Sequence, residues 1–474
     1  MARRTRLPRT RPAWSAATLS ASGSLRRARW HGQRRRARMR GVGAWVRPMS
    51  ALARVGIAQT RFVSYLVHPR RHGRDTALAR EECETRTAEA LEELQRAYFA
   101  YPWLGQATIG AAGVVGSCAA AIARAGLRAA IGMRIGDSRA HRRRLEAIPK
   151  AGYEAFLAAL LAGSEAAGVF RSGEIHVRRI GATSWARGDP HVKRAGIPED
   201  LAGSFDDIDD LTWAARAGSL VKVIRVGDET GWRSPLASAF MRLRGCRPRW
   251  IVEIAGTDHL SLPTTTNPAD PEANIRESLG LVSNQRRGVE RAVLDAMEAY
   301  DITTDEERAG EDVLLIGHSQ GAMVAMALAA AEETPFPVRA VVSAGGPIGR
   351  MATPPRTRVL ALRHLQDPIP LFGGLAGEVD PAVVVYERSL RAPTSGVLYY
   401  AHAAGTYART AAEAIAYARR IPDSNVGRAI EAISHYYPQR LLWGRESGSV
   451  FIYEITQDVL GDDDIKEADH EPQR

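Results

Sequence analysis

The chain has 474 residues, 45% hydrophobic and 25% charged, a balance of a globular protein with a sizeable core and room for two or three domains, which excludes a fibrous or wholly disordered chain. The net charge is +11, but residues 1–50 hold 14 Arg and no Asp, Glu or Lys, and setting them aside leaves −3 for the rest. The basic balance is therefore local, and it excludes reading the body of the chain as a nucleic-acid binder. Cys83, Cys118 and Cys246 are scattered and odd in number, which excludes a disulfide framework and a cysteine metal site and leaves buried free thiols as the expectation.

The leader, residues 1–50, contains Arg34-Arg35-Arg36 and lacks a compact apolar stretch before a small-residue cleavage site. No secretory signal is expected, and the sharp change in composition favours a native start at Met49 over an organelle transit peptide. A disordered leader, a helical region over 75–170 and an α/β domain over 174–460 are the expected divisions, in a cytoplasmic or membrane-associated setting. Residues 76–98 read as an amphipathic helix with Leu91, Leu94 and Tyr98 near one face and Leu78 off it. Residues 104–123 carry no charge over a membrane-spanning length, followed by Arg124, Arg128 and Arg134. They are rich in Gly and Ala, so a buried or interfacial helix pair is favoured, with membrane association as the alternative. Residues 142–168 continue in helical style with Phe156, Leu157, Leu160 and Leu161 as the apolar face.

From Glu174 to Ile180 the pattern alternates like a strand. The acidic run Asp206, Asp207, Asp209 and Asp210 reads as a solvated loop rather than a metal site, because it lacks the glycine turn of a calcium loop. Strands are then expected at Leu220 to Val226, Trp250 to Ala255, Val313 to Ile316, Val338 to Ala344, Arg358 to His364 and Ala382 to Glu387. One helical stretch is expected from about Glu272 to Tyr300 and another over 405–420. Strands alternating with helices predict an α/β fold with a doubly wound, mostly parallel sheet.

The stretch that points to chemistry is Gly317-His318-Ser319-Gln320-Gly321, set between the apolar run and an Ala/Met/Leu-rich helix. A strand–sharp turn–helix unit with G-x-S-x-G pushes the Ser319 hydroxyl out over the sheet edge, and Gly317 and Gly321 leave room for the crossing backbone. The Gln320 N–H sits at a helix start, where it can face a developing oxyanion. A serine hydroxyl needs a base and an acid to orient that base. Of the histidines downstream, His402 lies in a loop just before a helix and is favoured, with His435 the alternative. His364 is expected to pack inside, and His470 lies in the charged tail. Asp367, just past a strand end and held by Pro368 and Pro370, is the expected acid, with Glu378 and Asp380 as fallbacks. Thr257, after the strand ending at Ala255-Gly256, is the expected second oxyanion donor, which places Asp258 and His259 near substrate. No metal or organic cofactor is required by this constellation.

Together these residues resemble the lipase-like α/β-hydrolases, including the GPI-inositol-deacylase-like group and related actinobacterial proteins. The matching stretches are Ala255-Gly256-Thr257, Gly317 to Gly321, Gly345-Gly346-Pro347, His364 to Pro370 and His402 to Tyr407, with Asn267-Pro268 and Asn274 similar to that family's loop after the oxyanion strand. The resemblance covers roughly residues 218–420. Ala255 stands where Pro is more usual, and Gly346 where Ser is common. The resemblance implies an α/β-hydrolase fold acting on a small-molecule or lipid ester, and it strengthens Asp367 and His402. Acyl transfer or thioester hydrolysis on the same site, and a non-catalytic scaffold binding a membrane or a partner, are the alternatives.

Overall fold

Strands that are apolar on both faces need cover on both faces, and this chain supplies them in series. In this computed structural model, residues 76–100, 152–185, 218–227, 248–258, 263–373, 380–393, 399–438 and 448–461 are described, with isolated positions at 50, 54, 104–128 and 440–445. The elements run α1 (Thr76–Ala100), α2 (Tyr153–Ala166), β1 (Ser172–Trp185), β2 (Leu220–Val226), β3 (Arg249–Ile254), α3 (Pro271–Ser278), α4 (Asn284–Glu298), α5 (Asp305–Ala309), β4 (Asp312–His318), α6 (Gln320–Ala330), β5 (Val338–Ala344), β6 (Arg358–His364), a 3-10 turn (Ile369–Gly373), β7 (Val383–Arg388), α7 (Ala404–Arg420), α8 (Asn425–Ser434), β8 (Arg440–Leu441), β9 (Gly444–Arg445) and β10 (Gly448–Val459).

Eight strands form one sheet in the order β1-β10-β2-β3-β4-β5-β6-β7. β3 to β7 are parallel, and β1, β10 and β2 form an antiparallel wing ending in the β2–β3 pair. Every residue of β2 and β3 is buried, and so is β4 after its first residue. Helices cover both faces. On one, α4 and α6 bring Val289, Val293, Met297, Val324 and Met326 against Val313, Leu315 and Val341. On the other, α7 and α8 bring Tyr407, Ala411, Ile415, Ile430 and Ile433 against Leu314, Ile316 and Val342. The architecture is a three-layer α/β/α sandwich. Full burial of these apolar side chains, each contributing roughly 1.5–3 kcal/mol, makes this the main stabilising layer.

Two readings of the sequence are corrected and one element is added. The helical stretch from Glu272 to Tyr300 is two helices. The first gives way at Leu279 and Gly280, the latter at φ 74°, and Ser283 then caps α4 by accepting from the Arg286 N–H at 3.0 Å. The strand Gly448–Val459 was not anticipated, although Val450, Ile452 and Ile455 are buried along it. Cys83 is a buried thiol as expected, but Cys118 is exposed.

The N-terminal helices lie against the α/β unit. α2 packs on α3 through Leu157, Leu161 and Ile275, with Phe156 and Leu160 half-buried beside them. In α1, Tyr98 is buried and Leu78 is 62% exposed, while the Leu91 and Leu94 side chains are outside the described set. In the uncharged stretch 104–123, Leu104 and Ala120 are buried, whereas Val114 is 65% and Ile122 74% exposed. Among the described residues no helix is long and apolar enough to cross a membrane. The Arg-rich leader through Met49, Asp206 to Asp210, Cys246, His259, Glu378 and His470 lie outside the described residues.

Candidate active site

The residues singled out from sequence gather at the carboxyl ends of the parallel strands, where open α/β sheets present their functional groups. Ser319 follows the last residue of β4, and its backbone is turned to φ 53° and ψ −120°. A side-chain-bearing residue in that region is strained, by an order of 1–3 kcal/mol. The flanking sequence makes the turn possible. A Cβ on Gly317 would lie 2.2 Å from the Gly321 carbonyl carbon, and one on Gly321 would lie 2.3 Å from the Ile254 oxygen. The Ser319 N–H is held by the Ala344 carbonyl at 2.9 Å, so the turn is tied to the neighbouring strand.

Ser319, His402 and Asp367 form an unbroken hydrogen-bonded chain. His402 Nε2 is 2.8 Å from Ser319 Oγ, and His402 Nδ1 is 2.8 Å from Asp367 Oδ2. A carboxylate only accepts, so Nδ1 carries the imidazole proton and Nε2 accepts from the serine hydroxyl. Asp367 is buried and also accepts from the Tyr407 hydroxyl at 2.7 Å and from the Ile369 N–H at 3.0 Å. Burial, then the Asp367 charge, hold the Tyr407 phenol well above its ordinary range, so it stays a donor. His402 sits at the end of a turn closed by its own N–H on the Tyr399 carbonyl at 2.8 Å, with Tyr399 in the left-handed region at φ 59°.

The other predicted residues are placed as follows. Gln320 is the first residue of α6 and is fully buried, and its side-chain amide donates to the Asp270 carbonyl at 2.8 Å. The loop carrying Thr257 adjoins the serine, since a Cβ on Gly256 would sit 3.0 Å from Ser319 Cβ. Thr257 Oγ1 accepts from Asn274 Nδ2 at 2.8 Å, and the Asp258 N–H donates to the Ala269 carbonyl at 2.9 Å, so α3 and its leading loop brace this segment. Asp258 is exposed. Of the alternatives, His435 is exposed at the end of α8 and stacks edge-on beside Tyr436. Asp380 accepts from the Ala382 N–H at 2.9 Å in an exposed turn. Neither belongs to the serine's hydrogen-bonded chain.

His318 and His364 are both buried, one at the end of β4 and the other at the end of β6. Burial pushes the first down to about 3 and the second to about 4, so both are neutral at physiological pH. Tyr407 stacks on His364 at 3.9 Å between ring centres. The hydrogen bond from Tyr407 to Asp367 was missed in the sequence, although the stretch His402 to Tyr407 was singled out there. The grip of α1 on this region was also missed. Gln95 Nε2 donates to the Gln366 carbonyl at 3.0 Å, beside Asp367, and Phe99 meets Tyr400 at 6.3 Å, two residues before His402. Nothing local in α1 could have signalled it.

Among the described residues no group of His, Cys, Asp and Glu has the arrangement to hold a metal ion. The arrangement can accept a proton from a hydroxyl, hold it on an imidazole and return it. Compared with known proteins, the chain matches no family model, no curated protein and no solved structure.

Proposed function

We propose that this protein is a serine hydrolase of the α/β-hydrolase type, cleaving carboxylic esters. The observation that carries the reading is the Ser319–His402–Asp367 chain, 2.8 Å at each link, hung from a strained strand-to-helix turn. Ser319 Oγ attacks the ester carbonyl as His402 Nε2 takes its proton. Asp367 keeps the imidazole in the productive tautomer and stabilises the imidazolium. The N–H groups of Gln320 and Thr257 stabilise the tetrahedral oxyanion, a kind of donor whose removal costs about 2.7–4 kcal/mol in known cases. His402 then protonates the departing alcohol. Water then attacks the acyl carbonyl as His402 takes its proton, and the acid is released as His402 returns that proton to Ser319 Oγ. The lipid-like character of the ester rests on the motif resemblance, and so does the α/β-hydrolase assignment of the fold.

The deciding experiment is fluorophosphonate labelling of the full chain beside Ser319→Ala, with short and long p-nitrophenyl esters as substrates. Labelling and turnover lost in the variant, with the fold retained, is the expected result. A well-folded wild type that takes no label, or a variant that still turns over, would sink the reading. The ratio of rates on the two esters separates an esterase from a lipase-like enzyme.

A further inference from the structure

The serine hydroxyl's partner is His402, yet two further histidines of the site each reach the backbone of the loop that carries it. His318 Nε2 is 2.7 Å from the His402 carbonyl oxygen, and His364 Nδ1 is 2.6 Å from the Ala401 carbonyl oxygen. They come from opposite sides of β5, because β4 and β6 flank it in the sheet. We infer that His318 and His364 are positioning residues that clamp consecutive carbonyls of the 399–403 loop and so fix His402 between Ser319 and Asp367. The inference rests on the serine-hydrolase reading above.

The chemistry of the contacts fixes both tautomers. A carbonyl oxygen only accepts, so His318 must carry its proton on Nε2 and His364 on Nδ1. The second nitrogen of His364 is then a lone pair, and it faces the Thr410 hydroxyl at 2.7 Å, which can donate to it. The groups around the pair pull both ways: the Asp367 charge favours the imidazolium of each, and His402 disfavours it. His318 is surrounded by His402, His364, Asp367 and Tyr407, and His364 by Asp367, Arg388, His402 and Tyr407. Burial is the largest influence on each and disfavours the imidazolium. A neutral clamp adds no positive charge beside His402 and leaves it free to act as the base.

The loop needs such restraint. Tyr399 holds a left-handed backbone, and Ala401 is fully buried with its carbonyl facing the interior side of the turn where His364 meets it. The ring of His318 also lies 4.8 Å from that of His402, so one residue both adjoins the serine in sequence and contacts the base in space. Losing His364 strands the carbonyl of buried Ala401, losing His318 frees that of part-buried His402, and either lets the imidazole drift; a displacement of about 1 Å in such a site lowers the rate by about a hundredfold.

The test compares His318→Phe and His364→Phe with donor-keeping His318→Gln and His364→Asn, whose amide nitrogens stand near the lost Nε2 and Nδ1. The measurements are kcat and KM on a p-nitrophenyl ester across the acidic limb of the pH profile, and the imidazole ¹⁵N spectrum of the wild-type protein. The expected result is a kcat about 10–100-fold lower in each Phe variant, KM within about two-fold, a displaced acidic limb, and substantial recovery in the Gln and Asn variants. Folded Phe variants with kcat within about two-fold of wild type would overturn the clamp. So would a wild-type spectrum with the His318 proton on Nδ1 or the His364 proton on Nε2, a readout that decides the matter even where the Phe variants do not fold. Because the spectrum needs no turnover, the two readings fail separately. A wild type lacking Ser319-dependent turnover removes the hydrolase reading and with it the clamp's catalytic purpose, whereas the wrong tautomers remove the clamp alone.

Discussion

At the scale of single residues, Asp367 is the most heavily bonded member of the Ser319–His402–Asp367 chain, and its partners are unequal. Asp367 Oδ2 receives both His402 Nδ1 and the Tyr407 hydroxyl, while Oδ1 receives the Ile369 N–H. Asp367→Asn presents an amide where the imidazole proton must be accepted and favours the wrong tautomer, so kcat is expected to fall on the order of ten-thousand-fold. Tyr407→Phe removes one hydrogen bond to a carboxylate and leaves the other two. A bond of that kind contributes about 1.5–3 kcal/mol, so the loss expected in kcat is roughly ten- to hundredfold. Steady-state kinetics of the two variants side by side would check the grading, and equal losses would contradict it. Ser319, Asp367 and His402 were legible in the sequence because each has a positional signature: a glycine-flanked turn, a strand end before Pro, and a loop before a helix. Tyr407 and His364 were not legible as partners. Their contacts arise only when β6 and α7 are brought together, and nothing in the spacing of a tyrosine states that its hydroxyl meets a carboxylate.

Among the elements, the parallel strands were the most readable part of the chain. Val338 to Ala344 and Arg358 to His364 match the structure residue for residue, because buried parallel strands are written as apolar runs between turn residues. The break between α3 and α4 was passed over because the apolar residues Leu279, Leu281 and Val282 run on across it, although Gly280 marks it. The reach of α1 was hidden for a different reason: Gln95 and Gln366 are 271 positions apart. α1 touches both the acid loop and the base loop, so its docking should be felt in turnover. Gln95→Leu together with Phe99→Ala is expected to lower kcat several-fold and stability by about 1–2 kcal/mol, with faster limited proteolysis near α1. Unchanged kcat alongside faster proteolysis would show that α1 packs on these loops without steadying them.

For the molecule as a whole, the buried carboxyl of Asp270 links pH to stability. Burial, helped by the Glu272 charge, raises it from 3.8 to about 7, against hydrogen bonds from Ala273 and Gln457 that lower it. Its folded value lies above its unfolded one, so its favourable contribution is complete below about pH 4 and is lost as pH rises toward 7. Relative to Asp270→Asn, the wild type should lose stability across that window by at most ~4 kcal/mol, at ~1.4 kcal/mol per unit. Thermal unfolding of both proteins at pH 5 and pH 8 would check it, and a difference that does not change with pH would refute it. One of the bonds to Asp270 comes from Gln457 on β10, the strand that lies between β1 and β2. A ribosome delivers β1 and β2 long before it delivers β10, since Trp185 and Val226 precede Gly448 by more than two hundred positions. Until then both strands present open edges to any other chain nearby, and pairings this distant in sequence form slowly. The newly made protein therefore passes through a vulnerable interval in which a chaperone that shields strand edges would raise its yield, and a stop codon ahead of Gly448 would be expected to produce aggregate rather than a smaller soluble protein.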